Sequence, residues 1–160
     1  MRPGRFERLL TAAINHDGRL TARTYADAGF TRSPRGIIAT TPTGVPVNVQ
    51  IAARLADGER HDHAEQPVTD TPYPDLERPD PIENGALDLA VFERYLASLA
   101  VAAAPDEVKT VTLFQQRGDA GAVRYGATFT YHSGGAVFLN VLSAGRARHE
   151  DFAPPATVSS

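Results

Sequence analysis

Residues 57–85, DGERHDHAEQPVTDTPYPDLERPDPIENG, constrain this chain more than any other segment. They hold Pro67, Pro72, Pro74, Pro79 and Pro81, and nine acids against Arg60 and Arg78. Each proline removes a backbone donor and turns the preceding residue away from helix. Apolar content is too low to offset the entropy of ordering by burial. The segment therefore reads as an acidic, Pro-rich insertion or linker, extended or disordered. A structureless connection this long is unusual inside one domain, so two small halves on a tether stand as an alternative.

The part before it is basic, with eight arginines against Glu7, Asp17 and Asp27. Phe6, Leu9, Leu10, Ala13 and Ile14 recur at helical spacing and share one face. Asp17-Gly18 stops that helix, with Gly18 suited to a left-handed cap. A short second helical turn is expected from Thr21, as N-cap, to Ala28, ended by Gly29. RGIIATTPTGVPVNVQIAARL then reads as a hairpin turning at Pro42 and Gly44. Val45, Val47, Val49, Ile51, Ala53 and Leu55 alternate with more polar neighbours, which buries one face, and Pro46 points to a sheet edge.

After the linker, ALDLAVFERYLASLAVAAA is the strongest helical pattern. Leu89, Phe92, Leu96, Leu99 and Ala103 form its stripe, Asn84 is a candidate N-cap and Pro105 bars continuation. Three strands follow: 108–115, then 122–131 after the turn RGDAG, then 136–142 after Ser133-Gly134-Gly135. Residues 146–160 read as a loose C-terminal tail containing Pro154-Pro155. No internal sequence repeat is read from the chain.

The order is α, a short α, ββ, linker, α, βββ. Short loops favour antiparallel neighbours. The fold class expected is α+β, an antiparallel sheet of about five strands with helices on one face, in a single domain over residues 1–145. This order, over residues 5–142, resembles the α+β roll of the nuclear-transport-factor-2-like superfamily. That resemblance implies either a pocket or a dimerisation surface, and it names no function by itself.

The chain has no Cys, which excludes disulfides, thiolate metal sites and Cys nucleophiles. Its first residues, MRPGRFERLLTAAINHDG, carry early charges and no continuous apolar run, unlike a signal peptide. A cytoplasmic location is expected. Fifteen of the sixteen basic residues are Arg, with Lys109 the exception, which reads as the bias of a GC-rich bacterial genome.

Three constellations bear on function. His61 and His63, with Glu59 in line, fall on one side of an extended segment and are candidate ligands for a divalent cation. The simpler reading is solvated loop side chains, and neither metal nor cofactor is assigned. Arg2, Arg5, Arg8, Arg19, Arg23, Arg32 and Arg35 are candidate nucleic-acid contacts, in an order of helix, short helix and hairpin comparable to a winged helix-turn-helix. Tyr25 and Asp27 are candidates to line a small pocket, although a packed Tyr25 and a solvated Asp27 are the simpler expectation. His16, at a helix end, complements the helix dipole. His132 and His149 read as turn and tail residues. No GxSxG, P-loop, GxGxxG or HExxH pattern is present, and no catalytic residue is assigned.

The sequence thus favours a non-enzymatic accessory or interaction protein, expected to form a homodimer through the sheet face away from the helices. Phe114, Phe138 and Leu142 are expected to make that face partly apolar. Nucleic-acid binding through the Arg-rich part is the alternative, and a small-pocket enzyme or ligand-binding roll is the third reading. No membrane association is expected.

Overall fold

The computed structural model describes residues 1–31, 33–116 and 123–144. Arg32, the RGDAG turn, His149 and the expected tail 146–160 lie outside them. The chain is α+β, with one six-stranded antiparallel sheet and two long helices packed on one of its faces.

Helix α1 (Pro3–Asp17) starts on a proline at its first turn and ends on Gly18 at φ 84°, as the sequence suggests. Its apolar stripe, Phe6, Leu10 and Ile14, is buried. The expected second helix is shorter than its pattern. Thr21–Thr24 forms strand β1, and only Tyr25–Ala28 is helical (α2), capped by the Thr24 side chain rather than by Thr21. β-branched Thr21 and Thr24 favour the strand, and Leu20 and Ala22 pack into the core from there. Strands β2 (Gly36–Thr40) and β3 (Pro46–Arg54) make the expected hairpin. Pro46 does not mark a sheet edge: β3 lies between two strands, and Pro46 opens it, where a missing donor is tolerated.

Asn84 is not a helix cap. Asn84-Gly85, with φ of 52° and 77°, turns a two-residue hairpin between β4 (Ile82–Glu83) and β5 (Ala86–Leu87), the geometry an Asn-Gly pair favours. Asp88 caps α3 (Leu89–Ala103) instead, accepting from the N–H groups of Ala90 and Val91. The second meander is β6 (Val108–Leu113), a 3₁₀ turn at Phe114–Gln116, β7 (Tyr125–Tyr131) and β8 (Ala136–Ala144).

The sheet order β1-β2-β3-β8-β7-β6 reads the same from either end. α1-β1-α2-β2-β3 and α3-β6-turn-β7-β8 are equivalent units, joined antiparallel at β3·β8, with Val49 opposite Val141 and Ile51 opposite Leu139. The same tripeptide opens the core face of both helices, Phe6-Glu7-Arg8 and Phe92-Glu93-Arg94. The sequence carries no repeat beyond that tripeptide, and the correspondence between the halves lies in the order and pairing of their elements.

Residues 57–85, expected to be a passive connection, instead run as an extended strap over α3. The Asp70 N–H donates to the Asp106 carbonyl (2.8 Å) and the Tyr73 N–H to the Pro105 carbonyl (2.9 Å). Tyr73, Leu76 and Ile82 pack against the core. The cause lies in α3, where every residue from Tyr95 to Val101 is buried. A stretch of helix buried on every side needs a cover away from the sheet, and the strap lies there, with Tyr73 and Leu76 beside Ala97 and Arg78 bonded to Ser98.

Candidate functional site

Glu7 and Glu93 sit one turn into α1 and α3 and point into the core, 5% and 1% exposed. Glu7 accepts the Gly36 N–H at 3.0 Å and lies 3.4 Å from the Arg35 guanidinium. Glu93 accepts the Gly126 N–H at 2.9 Å and the Gln115 N–H at 3.4 Å. Both glycines are required by close approach. A Cβ on Gly36 would overlap the Tyr25 ring and the Val49 carbonyl, and one on Gly126 would overlap Phe114 and the Leu139 carbonyl. Each half thus repeats one device: a helix carboxylate, a strand glycine and an aromatic ring laid on that glycine. These buried carboxylates work as tethers between helix and sheet.

A second cluster joins the strap to the fold. Arg5 lies between two carboxylates, donating from Nε and Nη2 to Glu65 (3.0 and 2.6 Å) and from Nη1 and Nη2 to Glu107, the Nη1 bond being 3.0 Å. The Met1 amino group is 3.5 Å from Glu65. The bonds to Glu107 and then Glu65 push the Arg5 guanidinium above its already high range. Burial alone would raise the Glu65 carboxyl, but the hydrogen bonds and charge of Arg5 hold it below its ordinary value. Burial, and then the Glu107 charge, push the Tyr131 hydroxyl well up. Tyr95 is pushed up by burial and by its 2.7 Å bond to Asp17. Asp17 also lies near Arg78 of the strap, whose Nε donates to the Ser98 hydroxyl (3.1 Å).

Open clefts border the strap among the described residues. One of about 270 Å³ lies between the strap, α3 and β6, with Leu76, Ala97, Val111 and Leu113 as its apolar lining and Arg94 and Glu77 among its polar groups. One of about 300 Å³ lies beside Arg2, Glu59 and His63, and one of about 180 Å³ beside His16, Asp17 and Arg78.

The residues singled out in the sequence are not brought together. His61 and His63 are exposed. Glu59 is engaged by Arg2 at 3.2 Å and by the Ala56 N–H. Among the described residues no group of three or more His, Cys, Asp or Glu is placed to hold a metal. Of the arginines, Arg2 and Arg5 face strap carboxylates, Arg19 lies 3.8 Å from Asp17, and Arg35 pairs with Glu7. Arg8 and Arg23 are exposed, on α1 and β1 respectively, and Arg32 is outside the described residues. Tyr25 is fully buried with its hydroxyl on the Asn48 side-chain oxygen, and Asp27 is exposed.

The sheet face away from α1 and α3 is largely polar. Gln50 and Asn140 are hydrogen-bonded across β3 and β8 (3.1 Å), and Thr110 pairs with Thr130 across β6 and β7. Phe138 is half-buried between Ala52 and Thr128, Leu142 is 46% exposed, and Phe114 is buried against Gly126. At the β1 end, Tyr25, Phe30 and Ile38 form a small separate cluster.

Among the described residues no helix is long and apolar enough to cross a membrane. No family model, curated protein or solved structure matches this chain. The likeness to an α+β roll rests on element order alone.

Proposed function

We infer that this chain is an interaction protein, one that holds another polypeptide and does not transform a small molecule. The observation that carries this reading is the use made of the buried acids. Glu7, Glu93 and Glu107 are each occupied by backbone amides or by arginine, so none is held in reserve as an acid or base in a pocket. The clefts support the same reading. They are open, and at about 180–300 Å³ they lie at or below the small end of ligand cavities, about 300 Å³.

Self-association through the outer sheet face is less favoured than the sequence suggests. That face is lined mainly by Thr, Asn and Gln, several of them already hydrogen-bonded to one another within the sheet. Nucleic-acid binding is disfavoured by the engagement of Arg2, Arg5 and Arg35 with carboxylates.

Cross-linking in the cell that makes the protein, followed by native mass spectrometry, tests the reading. The expected product is this chain joined to one recurrent, different polypeptide. A product of twice 17.2 kDa would select the homodimer. Recovery of the bare chain, with a small molecule bound or turned over, would overturn the proposal.

A further inference from the structure

The sheet ends on two edge strands, and among the described residues only one of them is closed. At β1 the Asn15 side chain, from the last turn of α1, donates to the Ala22 carbonyl (2.9 Å) and accepts the Ala22 N–H (2.8 Å). It meets the free side of β1 as a neighbouring strand would. At the equivalent place in α3 stands Val101, which has no group to do this. β6 is six residues long where β1 has four. Along its outer side the one partner among the described residues is Gln116, whose Oε1 accepts the Leu113 N–H at 3.3 Å. An open strand edge of this kind is a template for another strand.

The groups around that edge say what would fit it. Val111 and Leu113 of β6, with Ala97 and Leu76, line the cleft of about 270 Å³ on the helix side of the strand. Arg94, on its rim, is exposed and makes no ion pair among the described residues, and Lys109 is exposed on the strand itself. Glu77 reaches the cleft from the strap, so a complementary acid belongs on the α3 side.

Resting on the interaction reading above, we propose that β6 takes up an extended segment of a different polypeptide as a further strand. Apolar side chains at alternate positions enter the cleft at Val111 and Leu113, and an acidic side chain meets Arg94. A second copy of this chain fits poorly. Two β6 edges laid antiparallel bring two lysines and two arginines towards one another, and like charges facing across strands are unfavourable.

Selection from a random library of short linear peptides on the full chain tests this. Enriched peptides are expected to alternate apolar residues around an Asp or Glu and to slow hydrogen exchange in 108–113. N-methylation of alternate peptide amides should abolish binding, because it removes strand donors. Arg94→Glu should weaken binding about tenfold while thermal unfolding stays unchanged. Peptides that protect β1 or the outer face instead, or that tolerate both N-methylation and Arg94→Glu, would overturn the edge-strand proposal and leave the interaction reading standing. Failure to enrich any peptide would also overturn it, and a doubled mass by light scattering would give the edge to a second copy. The cross-linking experiment decides the broader reading separately.

Discussion

The Glu93 carboxylate accepts the backbone N–H of Gly126 at 2.9 Å, and this bond fixes α3 to the centre of its half of the sheet. Glu7 and Gly36 repeat the relationship at 3.0 Å in the other half. Glu93→Ala is expected to leave the buried Gly126 N–H unsatisfied and to cost about 1–3 kcal/mol. Gly126→Ala should cost at least as much, because its Cβ has no space beside Phe114 and the Leu139 carbonyl. Urea unfolding reads both as a lower midpoint at unchanged slope. An unchanged midpoint for either would contradict the tether.

Among the described residues Arg5 is the cation that pairs with both Glu65 and Glu107, while the terminal amine lies near Glu65. Arg5→Ala should cost about 2–4 kcal/mol, somewhat less than for a fully enclosed pair, since the Arg5 side chain is 25% exposed. Denaturant unfolding measures the loss. Arg5→Lys should recover only part of it, because a lysine cannot fork to two carboxylates.

The titrations give opposite signs at the two ends of the pH scale. The Glu65 carboxyl is held below its unfolded value of about 4.3. Its contribution is therefore complete above that pH and is lost as the pH falls through the folded value. Acid should loosen the strap from α1 before the sheet unfolds, and Arg5→Ala should remove that step. Tyr95 and Tyr131 are raised, so their contribution is complete below about pH 10 and is lost as the pH rises further. Tyrosinate absorbance from these two should appear together with unfolding and not ahead of it.

Most of the elements were legible in the sequence, because apolar periodicity and Gly or Pro punctuation set them. The stripes of α1 and α3, the Gly18 stop, the β2–β3 hairpin and the last two strands follow from local rules. Three features were not legible to those rules. The Tyr25 turn is helical, but Thr21–Thr24 pairs with β2, and tertiary pairing outweighs a short helical pattern. Asn84-Gly85 carried a strong hairpin signal that the nearby helix start obscured. The strap looked unable to bury itself, yet α3, buried on every side over 95–101, required a cover. The repeated Phe-Glu-Arg, at 6–8 and 92–94, was the one trace of the two equivalent halves. The edge position of β6 could not be read at all, since an edge is a property of sheet order.

Leu96, 1% exposed in the middle of α3, should cost about 2–5 kcal/mol when truncated to Ala, through lost burial and a residual cavity. Deleting residues 64–80 removes Glu65, Tyr73, Leu76 and Arg78 and uncovers Ala97 and Ser98. Its expected cost is about 3–5 kcal/mol, far above that of shortening a solvated loop. Thermal and urea unfolding of both variants check these values. A deletion variant as stable as the parent would show that the strap contributes nothing.

Native-state hydrogen exchange tests most directly whether the strap belongs to the fold. The Asp70 and Tyr73 amides donate to the Asp106 and Pro105 carbonyls, and Arg78 of the strap donates to Ser98 of α3. Both amides are expected to exchange far more slowly than an unfolded chain, with protection lost together with that of 95–101 as denaturant is added. Exchange of Asp70 and Tyr73 at the unfolded rate, with 95–101 still protected, would contradict the account: residues 57–85 would then be a passive tether.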